Sequence, residues 1–84
     1  MNLSFTPNAW DDYQYWLKND KRVLRRINEL ITAVQRDPFE GIGKPEQLRH
    51  QLQGHWSRRI SDEHRLVSTV SNDTVTIVAC RFHY

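Results

Sequence analysis

Arg49, Arg58, Arg59, Arg65 and Arg81, together with His50, His55, His64 and His83, all lie in the C-terminal half of this 84-residue chain. The segments that carry them pattern mostly as strands, where arginine is not expected as filler. One class of chemistry uses such a set without a metal. Cleaving RNA through its own 2′-hydroxyl needs a base for the hydroxyl proton, cations for the charged phosphorane and an acid for the leaving 5′-oxygen. A glutamate, one or more arginines and a histidine meet that requirement. Other chemistries fit less well. A zinc site needs closely spaced ligands, and Cys80 with scattered histidines supplies none. There is no nucleophile elbow for a Ser–His–Asp triad, and "GIGKP" lacks the length and following helix of a P-loop. No cofactor is implied. Among the histidines, His50 falls between Leu48 and Leu52 and reads as a structural residue on a strand face, while His55 and His64 flank turns and are expected to be exposed.

The elements that must position these groups follow from periodicity. Met1 to Phe5 alternates weakly, as a short strand would. Thr6-Pro7 gives an N-cap with proline at the first helical position, and Ala9, Trp10, Tyr13, Trp16 and Leu17 follow at helical spacing. A first helix is predicted over 7–18. Asp20 caps a second helix in which Val23, Leu24, Ile27, Leu30, Ile31 and Val34 form one apolar stripe, and Asp37-Pro38 ends it. "FEGIGKPE" then reads as a loop carrying Lys44 and Glu46. Short β-type segments follow at 47–52, 55–61, 64–71 and 74–82, separated by "QG", "DE" and "ND", which suit tight turns. Helices followed by a strand meander predict an α+β domain spanning 1–84, with two N-terminal helices packed on one face of a small antiparallel sheet.

Composition narrows the setting. The chain is 38% hydrophobic and 26% charged, which suits a folded protein rather than a disordered one. A net charge of +2 and a pI near 9.0 fit a basic face that attracts phosphates or an acidic partner. Lys18, Lys21, Arg22, Arg25, Arg26 and Arg36 crowd the second helix region, where a solvated face is the plain explanation. A core this small gains from a partner chain, which leaves room for a homodimer. The N-terminus lacks the features of a signal peptide, "VTIVAC" is too short to span a membrane, and the lone Cys80 reads as a small core residue in a reducing compartment. A cytoplasmic location without membrane attachment is expected. The closing "ACRFHY" is unusual, because terminal residues are more often frayed and polar.

"PFEGIGKPEQL", "GHWSRRISDEHRLV" and the terminal "CRFHY" resemble the YoeB branch of the RelE superfamily of bacterial toxins, as do "DDYQYW" and "KRVLRRINELI" in the two helices. The resemblance covers the whole chain. It implies a ribosome-dependent mRNA endoribonuclease, with rRNA and mRNA as partners, neutralised by a YefM-type antitoxin. Carried over by position, it implies that Glu46 is the general base and Arg65 stabilises the phosphorane, with Arg59 assisting. His83 becomes the general acid, and Tyr84 helps to position the RNA. Lys44 joins the substrate contacts. Arg49 stands where the family usually has lysine, and its fork geometry differs from that of an ammonium. Ile42 stands where a basic residue is expected.

One geometric conflict is left open at this level. If Asn72-Asp73 is a two-residue turn, Arg65 lies opposite Cys80, and alternation puts Arg65 and His83 on opposite faces. A three-residue loop, a bulge, or departure of the tail from the sheet removes the conflict. Two other functions remain open: a non-catalytic ParE-like gyrase inhibitor of the same fold, and a structural RNA-binding module. Neither needs an acid–base pair.

Overall fold

The computed structural model describes residues 1–82; His83 and Tyr84, the expected acid and its neighbour, lie outside the described residues. Strand β1 (Asn2–Phe5) leads into helix α1 (Pro7–Asn19) and helix α2 (Lys21–Arg36). After the loop come β2 (Glu46–Gln47), a 3-10 turn (His50–Leu52), β3 (His55–Arg59), β4 (Arg65–Ser71) and β5 (Thr74–Ala79). Both helix starts are built as their residues dictate. The Thr6 hydroxyl accepts from the Ala9 N–H at 3.1 Å, with Pro7 at the first helical position. The Asp20 carboxylate accepts from the N–H groups of Arg22 and Val23 at 3.1 and 3.2 Å.

The five strands form one sheet in the order β1-β5-β4-β3-β2. The pairs β2–β3, β3–β4 and β4–β5 are antiparallel, but β1 runs parallel to β5, with Asn2 opposite Thr74 and Phe5 opposite Ile77. The expected antiparallel sheet is therefore present, with one parallel pairing added at its edge. No turn joins β1 to β5, and a pairing across the whole chain leaves no mark in local turn chemistry. The apolar stripe of α2 (Ile27, Leu30, Ile31, Val34) and Ala9 and Trp16 of α1 pack with Ile60, Leu66, Val75, Ile77 and Cys80 into one core. The register puts Leu66, Val75 and Ile77 on a common face, beneath the helices.

Two departures from the expected strands bear on the site. Segment 47–52 is strand only at its start and then turns, because His50 takes a left-handed φ of 60°. Consequently His50 is exposed on a turn and is not a structural residue on a strand face. Strand β5 stops at Ala79 rather than continuing to Phe82. Just before that stop lies a bulge: Ser68 pairs with Ile77 but Val67 pairs with Ala79, so Val78 is extra. The carbonyl of Val78 accepts from the Thr6 hydroxyl at 3.0 Å. The turn at Asn72-Asp73 has two residues, and the bulge rather than a longer loop changes the parity.

Candidate active site

Strands β2, β3 and β4 bring the key side chains to the sheet face away from the helices. Glu46 lies opposite Ser57, Ser57 opposite Val67, and Arg59 opposite Arg65. Alternation therefore sets Glu46, Ser57, Arg59, Arg65 and Val67 on one face. A small cleft of about 70 Å³ lies there, lined by Glu46, Leu48, Ser57, Arg65 and Val67. The Arg65 guanidinium is 3.8 Å from the Glu46 carboxylate and donates to the Ser57 hydroxyl at 3.3 Å. The Arg65 side chain is 22% exposed and that of Glu46 61%. An ion pair this open is worth about 0–1 kcal/mol, so an incoming phosphate can displace the carboxylate from the cation at little cost. Two cations facing each other across strands, Arg59 and Arg65, disfavour the sheet. Their juxtaposition makes sense as a place for an anion.

The loop that delivers Glu46 is held by Arg58, which points to the opposite face and is only 1% exposed. Its guanidinium donates to the carbonyls of Asp37, Glu40 (2.9 Å) and Ile42 (3.2 Å). Burial pulls its pKa below the usual guanidinium value, and Asp37 opposes that shift. Arg58 is thus a clamp on residues 37–42, not a member of the site. Gly43 completes the loop at φ +88°, where a Cβ would come within 2.7 Å of the Leu30 side chain, and its carbonyl accepts from the Arg59 N–H at 2.7 Å. Lys44 follows, exposed on the loop at φ 53°, outside the cleft lining. Arg49 is also exposed; with Gln47, Leu48, His50 and Gln53 it lines a separate, open groove.

The tail reaches this region under several constraints. The Asp12 carboxylate accepts from the Cys80 N–H at 3.0 Å, and the Trp16 indole donates to the Cys80 carbonyl at 2.8 Å. Burial raises the pKa of Asp12, partly offset by that hydrogen bond. The Arg81 guanidinium lies 3.5 Å above the Tyr15 ring. The Arg65 N–H donates to the Phe82 carbonyl at 2.8 Å, and the Phe82 N–H donates to His64 Nδ1 at 2.7 Å. His64 is therefore not an exposed turn residue: its side chain is 12% exposed and its ring packs edge-on to Trp16. His55 is half-buried as well, with Nδ1 enclosed. Nothing in the spacing distinguished His64 from its neighbours, and Ser57 was missed because a serine in a strand carries no signal until its cross-strand partners are known. Among the described residues no three His, Cys, Asp or Glu side chains gather where they could hold a metal.

Comparison with known proteins agrees with this architecture. The family model of the YoeB-like toxin of bacterial type II toxin-antitoxin system matches residues 5–84. The chain belongs to this family. It is 56% identical over 84 residues, covering all of both chains, to Toxin YoeB of Escherichia coli strain K12. Among solved structures it is similar to the YoeB/ParE toxin from Agrobacterium tumefaciens, with a TM-score of 0.97, 46% identity and full coverage of both chains. It is also similar to YoeB of Staphylococcus aureus, known as a dimer and as a heterotetrameric complex with YefM. The TM-scores are 0.91 and 0.90 at 47% identity, over 100% of this chain and 98% of the other. The two helices and the mostly antiparallel sheet are thus those of this toxin family.

Proposed function

We propose that this toxin is an mRNA endoribonuclease acting on the ribosome, using one catalytic domain and no metal. The observation that carries the reading is the Glu46 carboxylate 3.8 Å from the Arg65 guanidinium in an open cleft. Glu46 takes the proton of the 2′-hydroxyl, and the freed oxygen attacks the adjacent phosphorus. Arg65, with Arg59 beside it, stabilises the charge that builds on the phosphorane oxygens. His83 protonates the departing 5′-oxygen, leaving a 2′,3′-cyclic phosphate on one fragment and a 5′-hydroxyl on the other. Tyr84 stacks on the RNA, and Lys44 and Arg49 hold flanking phosphates. The Arg65–Ser57 hydrogen bond supports the role of Arg65, since it holds the guanidinium without neutralising it.

The same reading gives the toxin a YefM-type antitoxin as its inhibitor, as the Staphylococcus aureus relative has, and a homodimer as its resting form in the cytoplasm. The test is cleavage of mRNA on purified ribosomes, with 3′-end analysis of the products. Wild-type protein should leave cyclic phosphate ends in the presence of a chelator that spares the ribosome. Glu46→Gln, Arg65→Ala and His83→Gln should each lower the rate by about 10²–10⁴, the range for losing a general acid or base or an oxyanion-type contact. A His83→Gln protein that still halts translation without cleaving RNA would make it a non-catalytic binder instead.

A further inference from the structure

Phe82 sits at φ +61°, in the left-handed region that bulky residues rarely enter. Two hydrogen bonds hold it there. Its N–H donates to His64 Nδ1 at 2.7 Å, and its carbonyl accepts from the Arg65 N–H at 2.8 Å. The two partners are consecutive residues, His64 just before β4 and Arg65 at its start, and the second is the proposed phosphorane-stabilising arginine. The His64 ring is itself fixed: it packs edge-on to Trp16 at 4.8 Å, and the Trp16 indole holds the Cys80 carbonyl. To accept at Nδ1 the imidazole must carry its proton on Nε2, which lies 3.8 Å from the Glu63 carboxylate. Phe82 itself is 54% exposed, so burial of its ring does not explain the strained backbone.

We propose that His64 is the positioning residue of the proposed acid: its Nδ1 holds Phe82 in the left-handed turn, and thereby sets where the chain enters residue 83 relative to Arg65. The inference rests on the assignment of His83 as acid. Strained backbone persists only where surrounding contacts over-determine it, and here removing one acceptor frees Phe82 to return to an extended conformation. The consequence is a displaced catalytic group in an otherwise intact fold. Misplacement by about 1 Å costs on the order of 10²-fold in rate.

The experiment compares His64→Leu, which removes the acceptor, with His64→Asn, whose Oδ1 takes the place of Nδ1. For cleavage on ribosomes, His64→Leu should lose about 100-fold in single-turnover rate with unchanged half-saturation and cooperative unfolding. His64→Asn should stay within roughly threefold of wild type, since it restores the acceptor. A leucine variant cleaving at the wild-type rate, or an asparagine variant falling as far as leucine, overturns the proposal. A second readout needs no activity. In ¹⁵N-labelled wild-type protein the Phe82 amide should show a coupling to His64 Nδ1 across the hydrogen bond, and the His83 ring resonances should move in His64→Leu but not in His64→Asn. Absence of the coupling, or His83 resonances indifferent to both substitutions, sinks the inference. If wild type does not cleave RNA but this signature holds, the proposed reaction fails and the positioning contact stands.

Discussion

Arg58 and Arg59 are adjacent in the chain and do opposite work. Arg59 faces solvent across from Arg65, whereas Arg58 is buried and holds three loop carbonyls. Replacing Arg58 by Met should cost roughly 3 kcal/mol of unfolding free energy in urea, because several buried acceptors lose a charged donor at once. Arg58→Lys should recover little, since an ammonium cannot span the three carbonyls that a guanidinium reaches. Cys80 gives a second residue-scale expectation. Burial, aided by the Asp12 charge, pushes its thiol up to about 12. The folded protein therefore keeps a proton that the unfolded chain releases above its ordinary value of about 8.5. Stability from this group is complete below that pH and is lost as the pH rises toward 12. Thermal unfolding of wild type should show this alkaline decline, Cys80→Ala should show less of it, and the native thiol should resist iodoacetamide at pH 7.

At the scale of elements, the N-terminus of α1 and the end of β5 are one construction. The Thr6 hydroxyl accepts from the Ala9 N–H and donates to the bulged Val78 carbonyl, and the Thr6 N–H donates to the Ile77 carbonyl. Thr6→Val keeps the shape and deletes both side-chain bonds. It should destabilise the protein by about 1–2 kcal/mol in denaturant unfolding, while Thr6→Ser stays near wild type. If the bulge is what sets the tail's parity, Thr6→Val should also lower RNA cleavage beyond what its stability predicts. Cleavage in proportion to folded fraction would show that the bulge tolerates loss of that bond. Residues 37–43 are similarly specified from outside, by Arg58 and by the close approach of Gly43 to Leu30.

For the whole molecule, charge and size govern partners. The exposed Arg22 and Arg25 on α2, with the partly exposed Arg26 beside Glu29, form a basic surface. Converting all three to Gln should weaken ribosome binding and flatten its salt dependence without lowering the melting temperature, as expected when phosphate contacts release counterions. Binding with an unchanged salt slope would leave α2 a solvated face. An antitoxin that binds only the folded toxin must raise its melting temperature by mass action, so a calorimetric scan with and without the partner tests that pairing directly. No helix among the described residues is long and apolar enough to cross a membrane.

Features that rest on near neighbours are legible in the residues alone. Thr6-Pro7 and Asp20 start the two helices, Pro38 stops the second, the stripe from Val23 to Val34 names the buried face, and Asn72-Asp73 marks a turn between strands, whose length of two residues came only with the register. Its motifs were also enough to identify the toxin family. Other features depend on groups far apart in the chain and emerge only when the elements pack together. The parallel edge strand, the burial of Arg58, the pairing of Arg65 with Ser57 and Glu46, and the seating of His64 against Trp16 and Phe82 are of this kind. An arginine one residue along a strand points to the other side of the sheet, so Arg58 and Arg59 look alike until the register is known. The bulge at Val78 shows why register is decided in three dimensions. It is held by Thr6, seventy-two residues away in the chain, and no local sequence pattern records that contact.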